Sequence, residues 1–246
     1  MDRSYVSRAA RAARFVYRRL SRTRKIIIDG IRLRIPADTP PYLRILMYWE
    51  QYEDAETVFL KEILRPDDVV VEAGAAIGFV GLLCARIVGP ENVVLIEANS
   101  DMIAEIEHNF KTNDVPLPDV RHGLATAEES APQTFHIADH FWSSSIADRG
   151  MTIRTDTVAT VGLNALFREK NATVFVCDIE GGEYSLFEDI DLSGLRLIVV
   201  ETHDRIFGKG GAARLEERVL AQGFELKELV GKNVHIYERA LAAAAA

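Results

Sequence analysis

The sequence predicts an α/β protein built on a mostly parallel sheet with helices on both faces. Two observations carry that prediction. From Asp68 onward, short runs rich in Val, Ile and Leu alternate with stretches of helical apolar spacing, the order that generates βαβ units. Several of those runs end on an acid followed by small residues, as in VVVEAGAAIGFVGL, Val69 to Leu82. That is how a parallel strand presents its carboxyl end to a ligand crevice.

Taken in order, SRAARAARFVYRRL is Ala- and Arg-rich without Gly or Pro and predicts a helix, with Val6, Phe15, Val16 and Leu20 as a narrow apolar stripe. In KIIIDGIRLRIP, Asp29-Gly30 between two β-rich runs signals a hairpin. Pro40 and Pro41 break structure, and the spacing from Ile45 to Leu64 suits one or two helices. DVVVEA is a strand, GFVGLLCARIV a helix and NVVLIEA a strand. SDMIAEIEHNFKTN is a helix with Ser100 as its expected N-cap, and PDVRHGLA a weaker strand. QTFHIA and MTIRTDTVA read as short strands around a Ser-rich turn, followed by a helix near Val161–Glu169. TVFVCDI, GGEYSLFEDI, LRLIVVET and AARLEERVLAQG continue the alternation, and FELKELV and KNVHIYERA close as a hairpin. The expected organisation is a basic helix over 1–25, a hairpin and helices packing on the core over 26–66, and a main domain over 67–240. That domain carries a β insertion at about 127–157 and is followed by an Ala-rich tail over 241–246.

Composition narrows the function classes. The 246 residues are 48% hydrophobic and 27% charged, as in a globular domain with one large core. No apolar run reaches the about 18 residues of a spanning helix. Cys84 and Cys177 lie in apolar runs without Cys-x-x-Cys spacing, so buried thiols and a cytoplasmic location are expected. There is no zinc pattern; Asp178, Glu180, Glu201 and Asp204 are oxygen ligands suited to magnesium, but nothing in their spacing requires it and no metal is expected. Net charge is −8, but residues 1–25 hold nine basic residues against Asp2 alone. The body is therefore strongly acidic, which disfavours nucleic acid as a partner. A basic amphipathic helix such as residues 1–25 can lie on an anionic membrane, here the inner membrane surface; the plainer alternative is a solvated or partner-docking helix.

The turn Glu72-Ala73-Gly74-Ala75-Ala76-Ile77-Gly78 lacks the second and third glycines of a dinucleotide fingerprint, where Ala76 and Phe79 stand. This argues against NAD or FAD. A strand-end acid such as Glu72 suits the ammonium of S-adenosylmethionine, and Glu97, closing the next strand, can accept from both ribose hydroxyls. A second set of acids, Asp178, Glu180 and Glu183, follows the CDIEGGE strand, and Glu201, His203 and Asp204 follow the next. Helix capping is the bland alternative for these acids.

These segments, YEDAETVFLKEILRPDDVVVEAGAAIGFVGL, VVLIEANSDMIAEIEHNF, VFVCDIEGGEYSLF and IVVETH, resemble the FkbM-type methyltransferases over roughly Tyr52 to His203. DIEGGE is the most specific match; Glu72 replaces the usual Asp and Ala98 the usual Pro. The resemblance implies a class I, Rossmann-like, seven-stranded methyltransferase fold, with S-adenosylmethionine as cofactor and a sugar, glycan or natural-product hydroxyl as acceptor. It implies Tyr52, Glu72, Gly74, Ala75, Gly78, Glu97, Ala98, Asn99, Ala125 and Asp178 around the cofactor. Asp178, Glu180 and His203 would form the catalytic set, with Ser144, Ser145, Glu180, Glu183 and His203 near the acceptor. His203 is the candidate base by its ordinary pKa, and Asp178 the alternative if its pocket raises its own. A non-catalytic relative docking through its basic helix, and an NAD oxidoreductase, are the competing readings. The acceptor's identity and the oligomeric state are not legible in the sequence.

Overall fold

The structure, a computed structural model, describes residues 3–138, 152–203 and 210–240. Helix α1 (Arg3–Ser21) leads into a hairpin of β1 (Lys25–Ile28) and β2 (Ile31–Arg34), then α2 (Pro41–Tyr48) and α3 (Asp54–Ile63). The hairpin turn puts Asp29 and Gly30 at φ +50° and +74°, the mirror-image turn that the Asp-Gly pair favours. Pro41 does not merely break structure. It opens α2, where its missing N–H costs nothing.

The main sheet has seven strands in the order β12 (Phe224–Val230), β13 (Val234–Arg239), β11 (Leu197–Glu201), β10 (Val174–Cys177), β3 (Val70–Ala73), β4 (Val93–Glu97), β5 (Asp119–His122). All pairs from β11 to β5 are parallel, and β13 runs antiparallel to both its neighbours. Strand order therefore reverses at β3, with β4 on one side and β10 on the other, and a crevice opens at such a switch point. On one face pack α3, α4 (Phe79–Val88) and α5 (Ser100–Thr112). On the other pack α6 (Leu163–Lys170), α7 (Glu183–Asp189) and α8 (Gly211–Ala221). The core strands are buried on both faces, which explains their unbroken apolar runs.

Four expectations change. PDVRHGLA is not one strand: it divides at Gly123, and β6 (Leu124–Thr126) leaves the sheet to pair with β9 (Thr160–Gly162). A Cβ at Gly123 would meet the Val161 side chain at 2.7 Å, so the branch needs glycine. Because β9 takes residues 160–162, the next helix starts at Leu163 rather than Val161. The N-cap of α5 is Asn99, whose side chain accepts from the Asp101 N–H at 3.0 Å, rather than Ser100. The narrow stripe on α1 is also divided between two sides of the helix. Phe15 stacks on Trp49 with centroids 4.2 Å apart, while Val16 and Leu20 are 53% and 80% exposed. The side chain of Val6 lies outside the described residues. The inserted hairpin itself forms, from β7 (Gln133–Ala138) and β8 (Thr152–Val158).

Two buried amides lock the N-terminal hairpin to the main sheet. Asn109 on α5 and Asn113, the C-cap of that helix, sit one turn apart. Their Oδ1 atoms accept from the N–H groups of Arg34 and Arg32, both at 2.9 Å, and Asn113 Nδ2 returns a bond to the Arg32 carbonyl at 2.7 Å. They satisfy the free edge of β2 as a neighbouring strand would. Asn109 Nδ2 also donates to Ile77 O at 2.8 Å, which ties the hairpin to the turn after β3.

Candidate functional site

The site is built at the carboxyl ends of β3, β4, β10 and β11. Directly after β3 the chain turns at Gly74, φ +86°, where a Cβ would lie 1.7 Å from the Asp178 carbonyl oxygen. The turns after β3 and β10 thus touch backbone to backbone, and only glycine fits. Gly74 N and Ala75 N both donate to Ile96 O, at 2.9 and 3.2 Å. Ala76 follows in the left-handed region, φ +45°, and its N–H donates to Glu97 Oε2 at 2.8 Å while Asn99 N–H donates to Oε1 at 2.7 Å. Burial pushes the Glu97 carboxyl up to about 7, against the pull of those N–H groups.

Glu72 lies on β3, facing α4. Gly81 on that helix leaves the room: a Cβ there would come within 2.9 Å of Glu72 Oε2. That oxygen is buried without a hydrogen-bond partner. Burial, then repulsion from Glu97, raises the Glu72 carboxyl well above its ordinary range.

The acids after β10 and β11 converge on one imidazole. His203 Nδ1 lies 2.8 Å from Glu183 Oε1, and Nε2 lies 3.7 Å from Asp178 Oδ1 and 3.5 Å from Glu180 Oε2. Glu183 is fully buried; Oε1 also accepts from the Gly181 N–H at 3.0 Å, and Oε2 has no partner. Glu183 therefore fixes the ring and leaves Nε2 facing the crevice. Burial alone would lower the His203 pKa, but the Glu183 hydrogen bond and the charges of Glu180, Glu183 and Glu201 outweigh it and raise it. Burial, then the neighbouring acids Glu201, Glu180 and Glu53, lifts Asp178 well above a normal carboxyl. Asp178 Oδ1 is buried and unpartnered, and the helix N-cap on this segment is Gly182, without a side-chain bond. Asp178 and Glu180 are thus not the caps of α7. Asp178, Glu201 and His203 also offer ligand atoms within 4.8 Å of one another, a grouping made by the fold that no sequence spacing announced.

Two cavities meet here. A cleft with about 700 Å³ of empty space runs over the β3 and β4 ends, between Gly74, Ala76, Glu97, Ala98, Ala125 and Phe135. A wider groove of about 1670 Å³ opens beyond, along Tyr42, Phe59, Glu62, Glu201, Glu228 and Asn233. Tyr52, Glu53, Asp178 and Glu180 line both.

The sequence from residue 72 to residue 226, more than half of the chain, matches the model of the methyltransferase FkbM domain. The chain belongs to that family. Its methyl donor is accordingly S-adenosylmethionine. A comparison with curated proteins finds no match. Among solved structures, this FkbM-domain methyltransferase is similar to M. jannaschii TYW2 in complex with AdoMet, at 15% identity and TM-score 0.44 over 88% of this chain and 86% of that one. It is similar to a methyltransferase from Pyrococcus furiosus at 14% and 0.43, over 95% and 100%. It is also similar to the Pyrococcus abyssi tRNA (uracil-54, C5)-methyltransferase in complex with S-adenosyl-L-homocysteine, at 12% and 0.47, over 88% of this chain but 44% of that one. The family assignment rests on the domain match and not on these distant likenesses.

In this methyltransferase the residues singled out from sequence take different stations. Tyr52, Gly74, Glu97, Ala98, Ala125, Asp178 and Glu180 line the cleft. Glu72 and Ala75 border a smaller inner cavity behind it. Gly78 turns away, against Ile106 and Phe110, and Asn99 is buried as the α5 cap. Glu183 stands behind His203. Ser144, Ser145 and Asp204 lie outside the described residues. Sequence reasoning missed Glu53, Glu56 and Phe135. Glu53 takes φ +51° to open α3, and burial, then Glu56 and Glu201, raises its carboxyl. An acid directly after Tyr52 was the available signal. Phe135 carried none, since it arrives from the inserted hairpin.

Proposed function

We propose that this methyltransferase O-methylates a neutral, polyhydroxylated acceptor such as a sugar or glycan. One observation carries the reading: the cleft and the groove join at Tyr52, Glu53, Asp178 and Glu180, so donor and acceptor can meet where Asp178 Oδ1, buried without a hydrogen bond, lies beside a held imidazole.

The cleft fits the donor. Glu97 offers two oxygens for ribose hydroxyls, Ile96, Leu124 and Phe135 give an apolar wall, and the carboxyl of Asp178 suits a cationic ligand. Bound there, S-adenosylmethionine supplies an electrophilic methyl carbon, displaced in line so that its bond to sulfur breaks as the bond to oxygen forms. The chain's own work is positioning and removal of the hydroxyl proton. His203 Nε2 is the proposed proton acceptor, because Glu183 holds Nδ1 and leaves Nε2 toward Asp178. The groove favours the acceptor class: its glutamates accept from hydroxyls, Tyr42 and Phe59 offer apolar faces, and its described lining holds no Lys or Arg. Phosphate-rich acceptors such as nucleic acid are repelled there. Proton removal is assigned to the neutral His203 imidazole, so the reaction is proposed without a metal.

Calorimetry with S-adenosylmethionine tests the donor half, with NAD as a control and Glu97→Ala as a variant. Binding that the variant weakens and NAD does not reproduce is the expected result. Mass-spectrometric screening of sugar acceptors with labelled donor then tests the rest. Folded protein that binds no S-adenosylmethionine would leave a non-catalytic docking role in its place.

A further inference from the structure

Helix α1 is turned opposite to an ordinary surface helix. With about 3.6 residues per turn, Arg11, Arg14, Phe15 and Arg18 share the side that packs on the body. Arg14 donates to both Glu50 oxygens at 2.8 and 3.0 Å, Arg11 lies 3.8 Å from Glu50, and buried Arg18 donates to Glu50, Tyr48 O and Ile27 O. The opposite side carries Ala9, Ala13, Val16 and Leu20, all exposed, with Tyr17 beside them at 70% exposure. Ile27, pointing outward from β1, is 51% exposed. Exposed Arg8 and Arg19 border this apolar side. Beside it opens a concavity lined by Arg14, Arg18, Lys25, Arg32, Arg34 and His108, with Tyr17 and Ile27 at its wall and no acid in its lining. Arg14 and Arg18 are paired with Glu50 and Arg34 with Glu105, so Lys25 and Arg32, both exposed, are the cations most open to an anion here.

We infer that this surface docks on an anionic lipid bilayer, with the apolar side of α1 in the interface and a headgroup phosphate in the basic concavity. Charge complementarity and the apolar side together select that occupant. A soluble polyanion would use the cations and leave Val16, Tyr17, Leu20 and Ile27 in water. A neutral apolar partner would leave the basic concavity unanswered. A helix with an aromatic ring and arginines around an apolar side is built for the headgroup boundary. The inference is independent of the methyl-transfer reading.

The test is flotation of the full chain with vesicles of phosphatidylcholine alone or mixed with phosphatidylglycerol. The wild type should float only with the anionic vesicles, less so as salt rises. Val16→Glu with Leu20→Glu should abolish flotation at an unchanged unfolding temperature, since both side chains are exposed. Lys25→Ala should weaken it about fivefold. Inorganic phosphate, added as competitor, should not release the protein from vesicles. No flotation, equal flotation on neutral vesicles, or full flotation of the double variant would overturn the inference. So would a dimer in sedimentation that the double variant dissolves, which would give this side to a second copy. S-adenosylmethionine binding, measured on the same samples, keeps this failure separate from that of the proposed reaction.

Discussion

The two ends of the central sheet treat their carboxylates in opposite ways. At the amino end, Asp68 is buried but answered: Arg196 pairs with both its oxygens, Thr173 donates to Oδ1 at 2.9 Å and the Arg65 N–H to Oδ2 at 2.7 Å. Burial alone would raise its pKa, yet those bonds hold it below the ordinary range. At the carboxyl end, Glu72, Asp178 and Glu183 each keep a buried oxygen without a partner. Burial and mutual repulsion raise Glu72 and Asp178. The same residue chemistry on the same sheet thus serves cohesion at one end and leaves capacity for a ligand at the other. Unsatisfied buried acids are costly to a fold, so their concentration at one edge marks the site better than any single motif.

Substitutions should separate the ends. Asp178→Asn removes the carboxyl that lies beside His203 and suits the cationic donor, and is expected to lower kcat by about 10²-fold through lost positioning without lowering the unfolding temperature, as followed by donor turnover and thermal melts. A variant that kept full activity would remove Asp178 from the reaction. Asp68→Ala leaves Arg196 buried and unpaired; denaturant unfolding should show a loss of about 3 kcal/mol, with turnover per folded molecule unchanged.

The pH dependences should have opposite signs. Asp68, with a lowered folded pKa, contributes stability that is present above 3.8 and lost as pH falls through its folded value. His203, with a raised folded pKa, contributes stability that is present below 6.5 and lost as pH rises through its higher folded value. As a base it works only when neutral, so kcat should climb across that same upper window. A flat profile there, or one unchanged in His203→Gln, would point to Asp178 as the base.

Glu97 gives a smaller and finer test. Its raised value means the folded protein holds an extra proton between 4.5 and about 7, so its stabilising contribution is full below 4.5 and is lost as pH rises through about 7. Accepting from ribose hydroxyls favours the ionised form. Donor binding near pH 6 should therefore release a fraction of a proton, seen by calorimetry in buffers of different ionisation enthalpy. Near pH 8.5 the release should vanish.

Much of this was readable along the chain because it is local. Alternating apolar runs specify strands and helices through side-chain period alone, and an acid at or just past the last residue of a strand, as Glu97 and Asp178 are, is set at the carboxyl edge of the sheet. Glu97, Asp178 and the Gly74 turn were therefore visible in sequence. Other features depend on partners far away in the chain. Asn109 and Asn113 finish an edge strand 75 to 81 residues earlier, and Gly81 makes room for Glu72 across a helix–sheet contact. Asp68 meets Arg196 across 128 residues.

By itself, the sequence determined the α/β alternation, the hairpin and the acids at the strand ends, because propensity, turn chemistry and period act over a few residues. Only the tertiary structure decided which acids are answered and which are left open. It also decided which side of α1 faces water, because burial and pairing depend on what the rest of the chain brings alongside.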